Sequence, residues 1–194
     1  MKGYYNHFES MKEGQVKKKR VYRRKKLPAY LTKEEFLKVL AVTKKIEHKL
    51  AFIFAFHSGM RVGEIVKLKP ENIDIPSRRI FLRNAKFGKD RVVPLPKGFS
   101  NKHLSRLPLK YSNLKSGVRS LQIAFKSALK RSGLNKEGVT FHSLSHSFAV
   151  HAVEVGVPIN QLQVLLGHED LGTTGIYTKI NPKDALDSYQ KYWE

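Results

Sequence analysis

The segment Leu50-Ala51-Phe52-Ile53-Phe54-Ala55-Phe56 is apolar at every position. A helix through it is apolar on nearly every side, so it should be buried in the core. The fold is therefore expected to wrap a central helix that Gly59 stops. At 194 residues and 41% hydrophobic, the chain has enough apolar material to do this, which excludes disorder throughout. No run approaches the roughly 18 apolar residues of a membrane span. The N-terminal stretch also lacks the apolar middle of a secretion signal, so a soluble chain in the cytoplasm is expected, without membrane association. Cysteine is absent, which removes disulfides, thiolate zinc sites and a cysteine nucleophile together.

Before the central helix, Thr32 and Glu35 have the spacing of a capping box, followed by the apolar stripe Phe36, Leu37, Leu40 and Ala41. After it, residues 62–68 predict a short helix that ends before Pro70. The period then changes to short β-rich pieces at 72–75, 79–82 and 91–95, expected to form a small antiparallel sheet. A polar turn, 84–90, separates the last two and would hold Lys86 or Lys89 at a hairpin tip. Helical spacing returns at Val118, Leu121, Phe125 and Leu129. Further helices are expected over about 143–155 and 158–166, then a turn at 173–177. A last helix is capped by Asn181 with Pro182 in its first turn. No internal repeat is present. The fold class is α+β, mainly helical with a three-stranded antiparallel sheet.

Charge divides the chain further. The formal net charge is +21, which makes a polyanion the natural partner. Residues 1–26 carry ten basic side chains and two acidic ones, and are expected to form a basic arm or linker remnant before a folded unit over 27–194. Residues 78–136 hold sixteen Lys or Arg and one acid, Asp90, whereas 137–178 hold no basic residue other than histidine. Double-stranded DNA is the expected partner, bound largely through its phosphates.

Among residues that do chemistry, His142 and His146 sit at i, i+4 on a predicted helix. Ser143 stands where the H-E-x-x-H zinc pattern needs glutamate, so structural histidines are the default and no metal or cofactor is expected. More telling are four scattered segments. They are His57-Ser58-Gly59-Met60-Arg61-Val62-Gly63-Glu64, then 85–95 with Lys86 and Arg91-Val92-Val93-Pro94-Leu95, then Phe141-His142-Ser143-Leu144-Ser145-His146, and finally Leu165-Leu166-Gly167-His168 with Tyr177 nine positions on. In this order and spacing they resemble the catalytic domain of tyrosine recombinases, the integrase and Xer type of site-specific DNA recombinase, over roughly residues 27–194.

The resemblance implies a site-specific recombinase or integrase acting through a 3′-phosphotyrosyl intermediate. Tyr177 is then the nucleophile, Arg61 a clamp on the scissile phosphate, and Lys86 (or Lys89) the acid that protonates the leaving 5′ oxygen. His142 and His168 serve as phosphate donors or proton carriers, and Glu64 supports the Arg61 region. The residue types suit the task. A free tyrosine has a pKa near ~10 and must lose its proton as it attacks, and charge growing on the phosphate must be met by fixed donors. The chain is expected to be a monomer alone and a dimer or tetramer on recombination sites. A type IB topoisomerase shares the chemistry, but its segments are less similar.

Two departures stand out. The H-x-x-R box reads His142-Ser143-Leu144-Ser145, and a serine cannot supply a bidentate cationic clamp. Cleavage is therefore expected to be impaired, and a non-catalytic DNA-binding relic or regulator of the same fold is the alternative. With no basic residue nearby in sequence, a replacement charge would come from elsewhere, with Arg119 and Lys89 as candidates. The second departure is length: the residues before 27 are too few and too charged for the N-terminal DNA-gripping domain that such recombinases usually carry.

Overall fold

The computed structural model describes residues 27–83, 90–167 and 174–179. Within them the helices are α1 (Lys33–Ala41), α2 (Ile46–Ser58), α3 (Val62–Lys67), α4 (Asn101–Leu104), α5 (Leu114–Arg131), α6 (Phe141–Glu154) and α7 (Ile159–Leu166). The strands are β1 (Ile73–Asp74), β2 (Arg79–Leu82) and β3 (Arg91–Pro94), and a 3-10 turn covers Gly175–Lys179. The basic arm, the hairpin tip with Lys86 and Lys89, His168 and the helix expected after Asn181 lie outside the described residues. None of the helices among the described residues is long and apolar enough to cross a membrane.

The apolar run is buried except at Ile53, which is half-buried against the core. Leu50, Ala51, Phe52, Phe54, Ala55 and Phe56 of α2 are all buried, each large side chain contributing on the order of 1.5–3 kcal/mol relative to exposure. Aromatic rings lock the neighbours onto it. Phe56 stacks on Phe36 of α1 at 3.9 Å between ring centres, while Phe52 meets Phe125 of α5 and Phe141 of α6 edge-on at 5.3 and 5.8 Å. α5 is amphipathic and turns Gly117, Leu121, Phe125 and Ala128 inward. A side chain at Gly117 would lie 2.7 Å from Val66, so glycine there lets α5 approach α3 closely.

α1 starts where its capping box predicts. Thr32 Oγ1 accepts from the Glu35 N–H at 3.3 Å, and Glu35 returns the bond to the Thr32 N–H at 2.8 Å. Just ahead, Leu31 is pinned to α6, donating its N–H to Ser147 Oγ at 2.9 Å, with His151 Nε2 3.1 Å from its carbonyl.

The sheet is antiparallel in the order β1-β2-β3, with Ile80 opposite Val93 and Leu82 opposite Arg91. Its inner face carries Ile80, Leu82 and Val93, and also Arg91. The observed helix limits differ from the periodic reading by one to four residues, since α5 begins at Leu114 behind the cap Asn113 and α6 at Phe141. The four-residue α4 is too short to generate a periodic signal. A smaller apolar cluster, made by Ala149, Val150 and Ala152 of α6, Leu162 and Leu166 of α7, and Tyr177, sits beside the main core.

Candidate active site

The site is built where the α2–α3 turn, β3, α6 and the end of α7 converge. α2 ends at Gly59 in the left-handed conformation, φ 64°. A Cβ there would come within 2.5 Å of Phe148 on α6, so both the conformation and the space require glycine. Arg61 follows as the residue that opens α3, and Glu64 Oε2 accepts its backbone N–H at 2.7 Å.

Glu64 is shared by two guanidinium groups. Its Oε1 lies 3.2 Å from Arg61 Nη1, and its Oε2 lies 2.7 Å from Nη2 of Arg91. Both arginines also donate to the last carbonyls of α7: Arg61 Nη2 to Leu166 at 2.9 Å and to Gly167 at 3.4 Å, and Arg91 Nη1 to Leu165. Two cations at a helix C-terminus also complement the negative end of its dipole. Gly167, in the left-handed conformation at φ 62°, closes α7 there, and a Cβ on it would lie 2.8 Å from Arg91 Cδ. The Arg91 side chain is only 4% exposed. Burial pulls its pKa down from the usual arginine value and the Glu64 carboxylate pushes it back up, which leaves it a cation. Among the described residues its Nε–H has no partner.

Ser145 faces the same turn from α6. It is buried, and its Oγ donates to the Gly59 carbonyl at 3.0 Å. Arg91 Nη2 stands 3.5 Å from that same carbonyl oxygen. On the same helix, the rings of His142 and His146 meet edge-on at 4.5 Å between centres.

Tyr177 packs onto α6 and is 1% exposed. Its hydroxyl lies 2.6 Å from Nδ1 of His146. Burial pushes its pKa up to about 12, because the phenolate would be poorly solvated there. A neutral phenol next to an imidazole nitrogen can hand over its proton directly when Nδ1 is unprotonated.

The structure thus brings Arg61, Ser145 and Gly59 together on one side and His142, His146 and Tyr177 along α6, while Lys86 and His168 lie outside the described residues. Two residues of the constellation escape sequence reading. His146 is legible only as a metal partner for His142, and among the described residues no group of three or more potential ligands gathers. Arg91 reads as a strand residue. Its parity with Val93 on the inner face was the available signal. Of the residues considered as sources of a replacement charge, Arg119 is exposed on α5, and it is Arg91 that occupies the site.

The sequence profile of the phage integrase family matches residues 29–184. The chain belongs to that family. It is 33% identical over 204 residues to the tyrosine recombinase XerA of Pyrococcus horikoshii, covering 98% of this chain and 70% of that protein. With XerA of Thermococcus onnurineus it shares 34% identity over 86% of its length, spanning 64% of the relative. Among solved structures, the catalytic domain of bacteriophage HP1 integrase matches with a TM-score of 0.63 at 25% identity, over 84% of this chain and 94% of that one. XerH recombinase in a pre-cleavage complex with its difH substrate matches with a TM-score of 0.67 at 26% identity, over 88% of this chain and 56% of that one. These relatives identify the described fold as a tyrosine recombinase catalytic domain of phage integrase type, mainly helical with a small antiparallel sheet.

Proposed function

We propose that this integrase-family chain cleaves and rejoins DNA strands at specific sites through Tyr177, at a rate held low by Ser145. The observation that carries the reading is the 2.6 Å contact between the Tyr177 hydroxyl and His146 Nδ1, on the helix that bears the H-x-x-R box. Double-stranded DNA is the substrate, met by the basic surface of the chain, with a dimer or tetramer assembling on the recombination site and the reaction taking place in the cytoplasm.

In the forward step Tyr177 Oη attacks the scissile phosphorus while its proton passes to His146. The bond from phosphorus to O5′ breaks, and Lys86 protonates the departing O5′. The products are a 3′-phosphotyrosyl linkage and a free 5′-hydroxyl. A 5′-hydroxyl then attacks the linkage in reverse, so the bond energy is conserved and the reaction runs without a cofactor. Arg61 meets the charge on the non-bridging oxygens with its guanidinium cation, and His142 and His168 add further donors. Tyr177 is inaccessible in the resting chain, so DNA binding has to bring the phosphate and the phenol together by moving the 174–179 segment.

Ser145 limits this chemistry. Its neutral hydroxyl is committed to the Gly59 carbonyl, and loss of one preorganised donor to a developing oxyanion costs about 10²–10³ in rate. That same observation favours a second reading, a DNA-binding protein of this fold without cleavage.

Incubation with a nicked cognate duplex that traps the covalent intermediate separates the two. The expected result is a slowly formed adduct that Tyr177→Phe abolishes and Ser145→Arg increases about 10²-fold. Salt-sensitive DNA binding with no adduct in either chain would leave the binding-only reading.

A further inference from the structure

We propose that Arg91 is a positioning residue that compensates for the serine at 145, holding Glu64 so that Arg61 keeps a net positive charge for the phosphate. This rests on the strand-cleavage reading above and adds to it a residue with no assigned part in the reaction.

The argument starts from the carboxylate. Glu64 is the anion that both guanidinium groups touch, Arg61 at Oε1 and Arg91 at Oε2. The trio carries one positive charge in excess. Remove Arg91, and Glu64 is left to neutralise Arg61 alone, with no surplus to meet an incoming phosphate.

The placement of Arg91 favours this role over that of an ordinary structural ion pair. Its guanidinium reaches the Gly59 carbonyl, the very oxygen to which Ser145 Oγ donates, so its charge enters the site beside the position where the box would carry a guanidinium. Its side chain is 4% exposed, where screening by water is weakest and a fixed charge acts at longest range. Among the described residues its buried Nε–H finds no partner. The glycine at 167 leaves the Arg91 side chain the room it occupies, since a Cβ there would lie 2.8 Å from Cδ.

The test is whether the effect of losing Arg91 depends on what stands at 145. Arg91→Gln and Arg91→Lys are made in the chain as it stands and in a Ser145→Arg background, and adduct formation is timed on a nicked duplex, with thermal melts confirming folding. In the serine background Arg91→Gln is expected to lower the rate about 10²-fold. In the Ser145→Arg background, where a guanidinium restores the surplus, the same substitution should cost less than about tenfold. Arg91→Lys keeps the charge without the fork and should fall between, with the same dependence on background; it carries the test if Arg91→Gln does not fold.

A second measurement uses a methylphosphonate at the scissile position, which removes the charge that Arg61 must meet. There the Arg91→Gln penalty should shrink towards unity. Equal penalties in both backgrounds, undiminished on the neutral substrate, would mean that Arg91 only props up the fold, and the proposal would be wrong while cleavage through Tyr177 stands. Absence of adduct in every chain, Ser145→Arg included, would instead overturn the cleavage reading and this proposal with it.

Discussion

The Tyr177 hydroxyl and His146 Nδ1 lie 2.6 Å apart, although the two residues are 31 positions apart in sequence and belong to different elements. His146→Ala removes the nearest acceptor for the phenolic proton. Adduct formation on a nicked duplex should fall about 10²-fold or more, while DNA affinity, measured by fluorescence anisotropy, stays near that of the parent. Unchanged cleavage would dismiss His146 as the base.

Burial of the same phenol makes stability depend on pH in the alkaline range. Tyr177 has a pKa near about 12 in the folded chain against roughly 10 in the unfolded one. Below pH 10 both states keep the proton and nothing is lost. Between about 10 and 12 only the unfolded chain ionises, so stability falls by up to about 3 kcal/mol. Urea unfolding across this range should show a steeper alkaline decline for the parent than for Tyr177→Phe, and identical slopes would refute the raised pKa.

Gly59→Ala tests the turn that carries the site. The new Cβ would sit 2.5 Å from Phe148 on a backbone at φ 64°, combining overpacking with a left-handed penalty. A loss of about 2–4 kcal/mol is expected from chemical denaturation. A variant as stable as the parent would show that α2 and α6 are not packed this closely.

Ser145→Ala isolates the hydroxyl from the missing charge. The bond to the Gly59 carbonyl is buried, so about 1–2 kcal/mol of stability should be lost. Cleavage should change far less than on Ser145→Arg, because neither serine nor alanine brings a cation. A large drop in cleavage with the fold intact would assign the serine hydroxyl itself to the reaction.

Arg61 and Tyr177 became candidates because each lies in a segment whose neighbours resemble the integrase boxes, and the central helix was legible because a run without polar residues has nowhere to go but inside. Arg91 was harder to read. A basic residue in a short strand is ordinarily a solvated one, and only its alternation with Val93 hinted that it faces inward. His146 was hidden by the i, i+4 relation to His142, which points to metal before it points to a tyrosine on another element. Lys86, His168 and the basic arm rest on the sequence alone, since they lie outside the described residues.

Local patterns therefore dictated what is local: the capping box at Thr32, the left-handed stop at Gly59, the amphipathic stripe of α5 and the alternating strands. Each depends on residues within a turn or two, and the chain's geometry links them directly. The pairings that define the site span far more chain, 27 residues from Glu64 to Arg91 and 86 from Gly59 to Ser145. No periodicity relates such positions. They meet because a helix apolar on nearly every side draws α3, α5, α6 and the sheet around itself, and that packing sets a buried arginine beside the serine that stands where a second one was expected.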